Sequence, residues 1–209
     1  MKREIIVLVF SILFPTIMFG QDRTTPDYSK ISYTFQIHDI VVKPKTDLEL
    51  NSFDKISNDT LHLVVCAEFV YYPFGKIEKK SALKESSLKI FEINDKKDKQ
   101  GNILQVLQFN SSELVLFFDS NSEGPISSYV IKGKIVNSEI VLENNIKIGM
   151  SKKEFYNLFF DDFPSKLGDK FNEIGLIACV EGTNHYYSFK NDKLILIRFE
   201  CPSCVLEVK

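Results

Sequence analysis

The chain has 209 residues, of which 26 are Lys or Arg and 28 are Asp or Glu, so its formal net charge is −2. Because the cations are matched by anions, the composition excludes non-specific nucleic-acid binding, which needs clustered cations to displace counterions from phosphate. The 44% hydrophobic content, with 18 Phe and 8 Tyr, is ample for a folded core and excludes global disorder.

The first twenty residues, 1–20, have the pattern of a secretory signal peptide. Lys2 and Arg3 precede an apolar run from Ile5 to Phe19, and Gly20 supplies a small residue before a cleavage point. The run is shorter than the roughly 20 apolar residues of a membrane span. We therefore predict an exported protein, periplasmic or extracellular, with no stable membrane span in the mature chain; a permanent anchor is the weaker alternative.

Residues 21–60 are predicted to form an N-terminal strand and loop segment. Apolar and polar residues alternate from Ile31 to Ile37, which is the pattern of a half-buried strand. The stretch from Asp47 to Thr60 then has the composition of a loop.

Residues 61–142 are predicted to form a first helix-plus-sheet unit. A β-branched and aromatic strand from Leu61 to Tyr72 stops at Pro73, and residues 76–86 have the composition of a short exposed helix. Strand-like or alternating patterns follow at Leu88–Ile93, Ile103–Phe109, Leu114–Asp119 and Ser128–Leu142.

Residues 143–209 are predicted to form a second unit, whose helix has the clearest local signal in the chain. Ser151 and Glu154 have the spacing of a capping box, in which the hydroxyl and the carboxylate each bind a free backbone N–H. Phe155 and Phe159 lie one turn apart on a face that we expect to be buried. Strand patterns resume at Ile174–Val180, Tyr186–Phe189 and Leu194–Glu200.

Two stretches eighty positions apart are similar: Val106–Phe118 reads VLQFNSSELVLFF, and Tyr186–Arg198 reads YYSFKNDKLILIR. In each, a phenylalanine is followed by four polar residues and an apolar run that begins with leucine, which predicts a hairpin. Two unrelated hairpins that look alike are the alternative to a duplication. We predict an α+β fold, mainly antiparallel sheet with short helices packed on one face, in two related helix-plus-sheet units in tandem.

The second unit also resembles known bacterial proteins. Asn144–Phe159 (NNIKIGMSKKEFYNLF), followed by strands that contain Tyr187-Ser188-Phe189, Leu194 and Ile197, is similar to the helix-then-sheet unit of the SmpA/OmlA outer-membrane assembly lipoproteins and of the β-lactamase inhibitor protein family. The chain departs from the lipoproteins because it has no cysteine before Cys66. Both groups are exported and bind proteins without chemistry of their own. The resemblance implies a tandem fold and binding to another envelope or extracellular protein.

Four cysteines are the candidates for disulfide bonds: Cys66, Cys179, Cys201 and Cys204. Export to an oxidising compartment favours disulfides over zinc or free thiols, and the three possible connectivities stay open. A Cys201–Cys204 bridge requires a turn, because residues three apart on a straight strand are separated by about 10 Å. Pro202 and Ser203 suit such a turn. A redox role is disfavoured, because this pair follows a strand and does not begin a helix.

No motif assigns catalytic, cofactor-binding or metal-binding residues. The sequence contains no nucleophile-elbow, zinc-protease or phosphate-binding glycine motif, and Asp161-Asp162 is interpreted as a solvated pair that closes a helix. We predict no cofactor and no enzymatic activity. The alternative is a secreted hydrolase whose site is assembled from scattered acidic residues and His185.

Aromatic residues are the candidates for protein binding, because tyrosine combines a rigid apolar ring with a polar tip. The candidates are Tyr71, Tyr72, Phe74, Tyr186 and Tyr187. On an alternating strand, only one of the last two faces outward. We therefore predict a non-catalytic protein-binding module of the bacterial cell envelope that acts through a sheet surface.

The mature protein is expected to be shorter than the full chain and to be recovered outside the cytosol. Cleavage after Gly20 removes Lys2, Arg3 and Glu4, a net charge of +1, so the formal charge changes from −2 to −3. Cell fractionation with intact-mass measurement checks this expectation. Recovery of the uncleaved 209-residue chain in the cytosol would contradict export.

Overall fold

Short strands joined by tight turns dominate the part of the chain that the computed structural model describes, residues 35–37, 40–45, 50–118, 128–179 and 182–204. The strands are β1 (Phe35–Ile37), β2 (Ile40–Pro44), β3 (Leu50–Ser57), β4 (Thr60–Val65), β5 (Glu92–Lys97), β6 (Ile103–Phe109), β7 (Ser112–Phe118), β8 (Ser128–Ile135), β9 (Phe160–Asp162), β10 (Glu173–Ala178), β11 (Asn184–Lys190) and β12 (Lys193–Glu200). The helices are α1 (Glu68–Tyr71), α2 (Lys152–Phe159) and α3 (Ser165–Gly168), with a 3-10 helix at Lys80–Glu85.

A nine-stranded sheet is the main structural element, with the strand order β3-β4-β10-β11-β12-β8-β7-β6-β5. The fold is α+β, as predicted. The sheet is mixed, because β4 and β10 run parallel while its other neighbouring strands pair antiparallel. A smaller sheet has the order β1-β2-β9.

The main hydrophobic core lies on one face of the large sheet, here called the inner face. One register row of this face crosses β4, β10, β11 and β12 through Leu63, Leu176, His185 and Phe199. The buried apolar side chains of α1, α2 and α3, among them Phe155, belong to the same core cluster. A smaller cluster on the opposite, outer face is formed by Leu104, Val106, Val115 and Ile131.

The capping box that opens α2 is present as predicted. The Ser151 hydroxyl accepts a hydrogen bond from the Glu154 N–H at 3.2 Å, and the Glu154 carboxylate accepts one from the Ser151 N–H at 2.7 Å. The Ser151 hydroxyl also donates to the Glu154 carboxylate at 2.7 Å, and this hydrogen bond, together with the one from the Ser151 N–H, lowers the pKa of the Glu154 carboxyl. Phe155 and Phe159 are fully buried, and the Phe155 ring lies 4.7 Å from that of Tyr187.

Both predicted hairpins are also present, as β6–β7 and β11–β12. Asn110 at the first turn and Asn191 and Asp192 at the second have positive φ angles of 50°, 50° and 63°. Asn and Asp tolerate this left-handed conformation better than other residues with side chains, and two such residues in a row suit the turn that joins twisted strands.

Three sequence expectations were wrong, one of them the strand predicted over Leu88–Ile93, since residues 88–91 are not in a strand and β5 begins at Glu92. Part of the predicted loop Asp47–Thr60 forms strand β3, and the end of the predicted strand Leu61–Tyr72 forms helix α1. Register shifts between Leu50 and Ser52 and between Phe53 and Lys55 interrupt β3, so its residues show no simple alternation. In α1, the local preference of aromatic and β-branched residues for strands is overridden by packing, which buries Phe69 and Val70.

Two disulfide bonds confirm the prediction that the cysteines are paired. The structure joins Cys66 to Cys179 and Cys201 to Cys204, with Cα–Cα distances of 5.2 and 5.3 Å. Cys66 and Cys179 directly follow the last register pair of β4 and β10, Val65–Ala178. The Cys201–Cys204 bridge closes a turn in which the Cys204 N–H donates to the Cys201 carbonyl at 3.2 Å.

No helix in the described part of the chain has both the length and the apolar character that crossing a membrane requires. The predicted signal peptide, residues 1–20, lies outside the described residues. The first part of the predicted strand Ile31–Ile37 does so too, and β1 begins at Phe35.

Replacing Cys66 and Cys179 by alanine is expected to destabilise the fold far more than replacing Cys201 and Cys204. In the chain-entropy model, a cross-link over 113 residues stabilises by about 4.8 kcal/mol, whereas one over 3 residues stabilises by about 1.6 kcal/mol. Urea denaturation of the two double variants measures the difference. Equal losses of unfolding free energy would contradict this account.

Candidate functional site

Tyr186 and Tyr187 lie on opposite faces of β11, as the alternation of the strand predicted. Tyr187 is fully buried in the main core, whereas Tyr186 is half-buried on the outer face of the sheet. Of this pair, Tyr186 is therefore the residue that a partner can reach.

The other aromatic candidates lie around α1. The Tyr71 hydroxyl is 3.4 Å from the Cys179 Sγ, and the Lys76 Nζ lies 5.5 Å from the centroid of the half-buried Tyr72 ring. Phe74 is buried and packs against the Phe199 ring at 5.8 Å. The structure does not bring these residues together with Tyr186 into one aromatic patch.

A row of paired residues crosses the outer face of five neighbouring strands at Tyr186. It consists of His62, Gly175, Tyr186, Arg198 and Lys134, each being the register partner of the next. We call these five residues the outer row. The four side chains are exposed or half-buried, so the row forms an accessible polar and aromatic surface.

Arg198 and Tyr186 form the centre of the outer row. The Arg198 guanidinium carbon lies 4.9 Å from the centroid of the Tyr186 ring, within the range of a cation–π interaction. The guanidinium also donates to the Glu173 carboxylate at 3.2 Å and to Glu200 at 2.8 Å. Because two carboxylates hold it, the cation is fixed above the ring and cannot sample many rotamers.

Because Gly175 has no side chain, the rings of His62 and Tyr186 can approach each other across it. The His62 and Tyr186 rings meet edge to face across this glycine, with centroids 6.4 Å apart. A Cβ at position 175 would lie 3.0 Å from the His62 Nδ1 and 3.3 Å from the Tyr186 ring. His62 is further positioned by a 2.9 Å hydrogen bond between its Nε2 and the Ser57 hydroxyl.

The electrostatics of the site keep Tyr186 neutral. Partial burial raises the pKa of its hydroxyl, and the nearby Glu200 carboxylate raises this pKa further. The hydroxyl therefore stays protonated at physiological pH and can both donate and accept hydrogen bonds. The arrangement offers a flat ring, a fixed cation and two carboxylates, which is suited to recognition of another surface.

His185, the residue on which the hydrolase alternative depends, is buried in the core. Its Nε2 lies 3.0 Å from the Val70 carbonyl oxygen, and its Nδ1 lies 3.0 Å from the Tyr187 hydroxyl. Because a carbonyl only accepts, Nε2 carries the proton, and Nδ1 accepts from Tyr187. Burial lowers the pKa of His185 to about 3. The neutral imidazole thus links α1 to β11 and has no exposed surface on which to meet a substrate.

Two clefts open near the helices, and His185 lines neither of them. One, of about 460 Å³, lies beside α1 and is lined by Glu68, Tyr72, Lys76 and Glu143, among others. The other, of about 230 Å³, lies between α2 and α3. Within the described residues, no group of three or more His, Cys, Asp or Glu side chains is arranged to hold a metal ion.

Sequence reasoning identified Tyr186 but missed the residues that give it a defined environment. Arg198, Glu173 and His62 are ordinary strand residues in the sequence, and Gly175 is an isolated glycine in a strand pattern. Such a glycine is a known sign of close packing by a neighbouring group. The glycine was thus the one local signal that pointed to this site.

Comparison with known proteins gives no match, neither among protein-family models nor among curated proteins nor among solved structures. The roles of individual residues therefore follow from the geometry of this chain, above all from the outer row.

Acidification below about pH 6.5 is expected to destabilise the fold through His185. The pKa of this residue falls from 6.5 to about 3 on folding, so between these values the unfolded chain binds a proton that the folded chain does not. Stability therefore decreases as the pH falls, by up to about 1.4 kcal/mol per pH unit.

Urea denaturation of wild type and His185→Gln between about pH 5 and pH 6 checks this dependence. The variant loses two buried hydrogen bonds and is expected to be less stable at every pH, so the slopes are compared and not the absolute values. The other titratable groups are the same in both proteins, so their contributions cancel when the two slopes of unfolding free energy against pH are compared. Parallel slopes would contradict a neutral, buried His185.

Proposed function

We propose that this protein is an exported, non-catalytic protein-binding module of the bacterial cell envelope, and that it binds through the outer row. The observation that carries the proposal is the Tyr186–Arg198 stack, held by Glu173 and Glu200 on an accessible sheet face. Tyrosine and arginine are enriched among the residues that dominate binding energy at protein interfaces. Fixing both side chains before binding reduces the entropy lost on association.

Mixed charge on this face favours a protein partner. Arg198 and Lys134 contribute positive charge, while Glu173, Glu200 and Glu113, the register partner of Lys134, contribute negative charge. Nucleic acid or another polyanion would be repelled by these carboxylates. The partner we propose is another envelope or extracellular protein whose surface carries both charges.

Export is supported by the two disulfide bonds, which persist in oxidising compartments, and by the signal-peptide pattern of residues 1–20. A binding role without catalysis is supported by the burial of His185 away from both clefts. The resemblance of Asn144–Phe159 to exported binding proteins agrees with both points.

Two helix-plus-sheet units in tandem, residues 61–142 and 143–209, remain part of the proposal. The two similar hairpins, β6–β7 and β11–β12, lie on either side of β8, so that β7 and β12 are both its direct neighbours. If one unit had been duplicated and the two copies had paired along their sheet edges, we would expect their hairpins to lie in this arrangement. On this proposal, the second unit contributes Gly175, Tyr186 and Arg198 to the outer row, and the first unit contributes His62 and Lys134.

Replacing Tyr186 by alanine is expected to weaken partner binding by roughly 30-fold or more, the effect of losing an interface residue that dominates binding. The tagged mature protein is used to capture its partner from an envelope extract, and the affinity of the purified pair is then measured by calorimetry. Arg198→Lys, which keeps the charge but loses the planar fork, is expected to give an intermediate loss.

Tyr129→Ala is the matched control. Tyr129 lies on β8 of the same sheet and is 38% exposed, but it is not part of the outer row. This variant is expected to bind as wild type does, and circular dichroism confirms that each variant is folded. Equal binding by Tyr186→Ala and Tyr129→Ala, or turnover of a small substrate without any protein partner, would contradict the proposal.

A further inference from the structure

Strand β5 is one edge of the nine-stranded sheet, and no strand within the described residues pairs with its open side. Natural proteins usually protect an edge strand, because its unpaired N–H and C=O groups can bind another strand. At the opposite edge of the sheet, β3 is interrupted by two register shifts. In contrast, β5 has no proline, no glycine and no register shift over Glu92–Lys97, so it is a regular strand with an open edge.

Two residues of β5 direct their backbone groups to this open side. The Asp98 N–H donates to the Asn102 carbonyl at 3.0 Å, which begins the β5–β6 ladder with a hydrogen-bonded pair. Hydrogen-bonded and non-hydrogen-bonded pairs alternate along an antiparallel ladder. The N–H and C=O groups of Ile93 and Asp95 therefore point away from β6, towards the side on which another strand can pair.

The charges of β5 are arranged so that the strand complements itself. Asn94 and Lys96 are the register partners of Val106 and Leu104, so they lie on the outer face, and Glu92 shares this face by alternation. Glu92 and Lys96 are exposed, and neither forms an ion pair within the described residues. If a second copy pairs antiparallel about Asn94, each Glu92 lies opposite Lys96 of the other copy, and opposite charges in this position stabilise a sheet.

We propose that this protein forms a symmetric dimer in which β5 pairs antiparallel with β5 of a second copy. The twofold axis passes beside Asn94, and Ile93 exchanges backbone hydrogen bonds with Asp95 of the second copy. Two Glu92–Lys96 ion pairs form on the outer face. A second copy is favoured over an unrelated strand because one surface supplies both members of each ion pair, as a twofold interface requires.

The proposed contact is small and separate from the outer row. Only one short strand of each copy takes part, so the dimer is expected to be weak and to dissociate rapidly. Strands β6 and β7 lie between β5 and β8, the nearest strand of the outer row. Dimerisation therefore does not require the outer row, and the two proposals can fail independently.

Sedimentation equilibrium of the mature protein, with both disulfides intact, tests for the dimer. Wild type is expected to show a reversible monomer–dimer equilibrium between about 10 μM and 1 mM. Glu92→Lys and Lys96→Glu each place like charges opposite one another at two positions, and each is expected to weaken the dimer about 10- to 100-fold. A wild-type protein that stays monomeric over this range, whether or not β5 binds another strand, would overturn the proposal.

A mixture of the two variants tests the register. In a dimer of one Glu92→Lys copy and one Lys96→Glu copy, both cross-strand pairs again join opposite charges. The 1:1 mixture is therefore expected to dimerise about as well as wild type, although each variant alone does not. Both positions are exposed, and circular dichroism checks that each variant is folded. A mixture as monomeric as the separate variants would overturn the proposed pairing.

Glu139→Lys is the control for a general effect of charge. Glu139 is exposed and follows β8, so the variant changes the net charge as Glu92→Lys does but leaves the β5 edge unaltered. It is expected to dimerise as wild type does. Equal weakening of the dimer by Glu139→Lys and Glu92→Lys would contradict a specific contact at β5.

Hydrogen exchange of the wild-type protein tests whether the β5 backbone takes part. The N–H groups of Ile93 and Asp95 are expected to exchange more slowly as the protein concentration increases, because they become hydrogen-bonded only in the dimer. Exchange at these two residues that does not change while the protein dimerises would assign the dimer to another surface and overturn the proposal.

Discussion

The parallel pairing of β4 with β10 is the constraint on which the rest of the fold depends. It aligns Thr60–Val65 with Glu173–Ala178, segments separated by more than half of the chain, and all of β5 to β8 and α2 lie in the connection between them. Loop-closure entropy opposes such a contact, and it is compensated only when the whole sheet forms. The disulfide between Cys66 and Cys179, one step beyond the last register pair, locks this pairing covalently.

The same pairing determines where α1 lies and why the core contains a histidine. The chain leaves the sheet at Cys66 and immediately forms α1, whose Val70 carbonyl accepts a hydrogen bond from His185 on β11. Tyr187 supplies the second partner of the imidazole, so the buried pair is fully satisfied. Partly satisfied buried polar groups are costly, so this pair favours one position of α1 against the sheet over all others.

The parts of the structure that the sequence revealed rest on residues close together in the chain. The capping box at Ser151 spans three positions, the hairpins at Asn110 and Asn191 span two-residue turns, and the Cys201–Cys204 turn spans four residues. Strand β3 could not be recognised, because its hydrogen-bond partners on β4 define it and its register shifts hide the alternation. The residues around Tyr186 could not be recognised for a similar reason. They come from β4, β10, β11 and β12, which only the strand order brings together.

The buried core and the proposed binding surface depend on one register in this sheet. A shift of one residue along β11 would exchange Tyr186 with its buried neighbours, which would place an ionisable surface group in the core and expose an apolar one. The inner face resists such a slip because Tyr187 packs against Phe155, while Arg198 on the outer face reaches across β11 to Glu173 on β10. The ion pair therefore joins the two strands that flank Tyr186. The core on one side keeps the tyrosine–arginine stack on the other side rigid, and on our proposal this rigid stack is the part of the outer face that binds a partner.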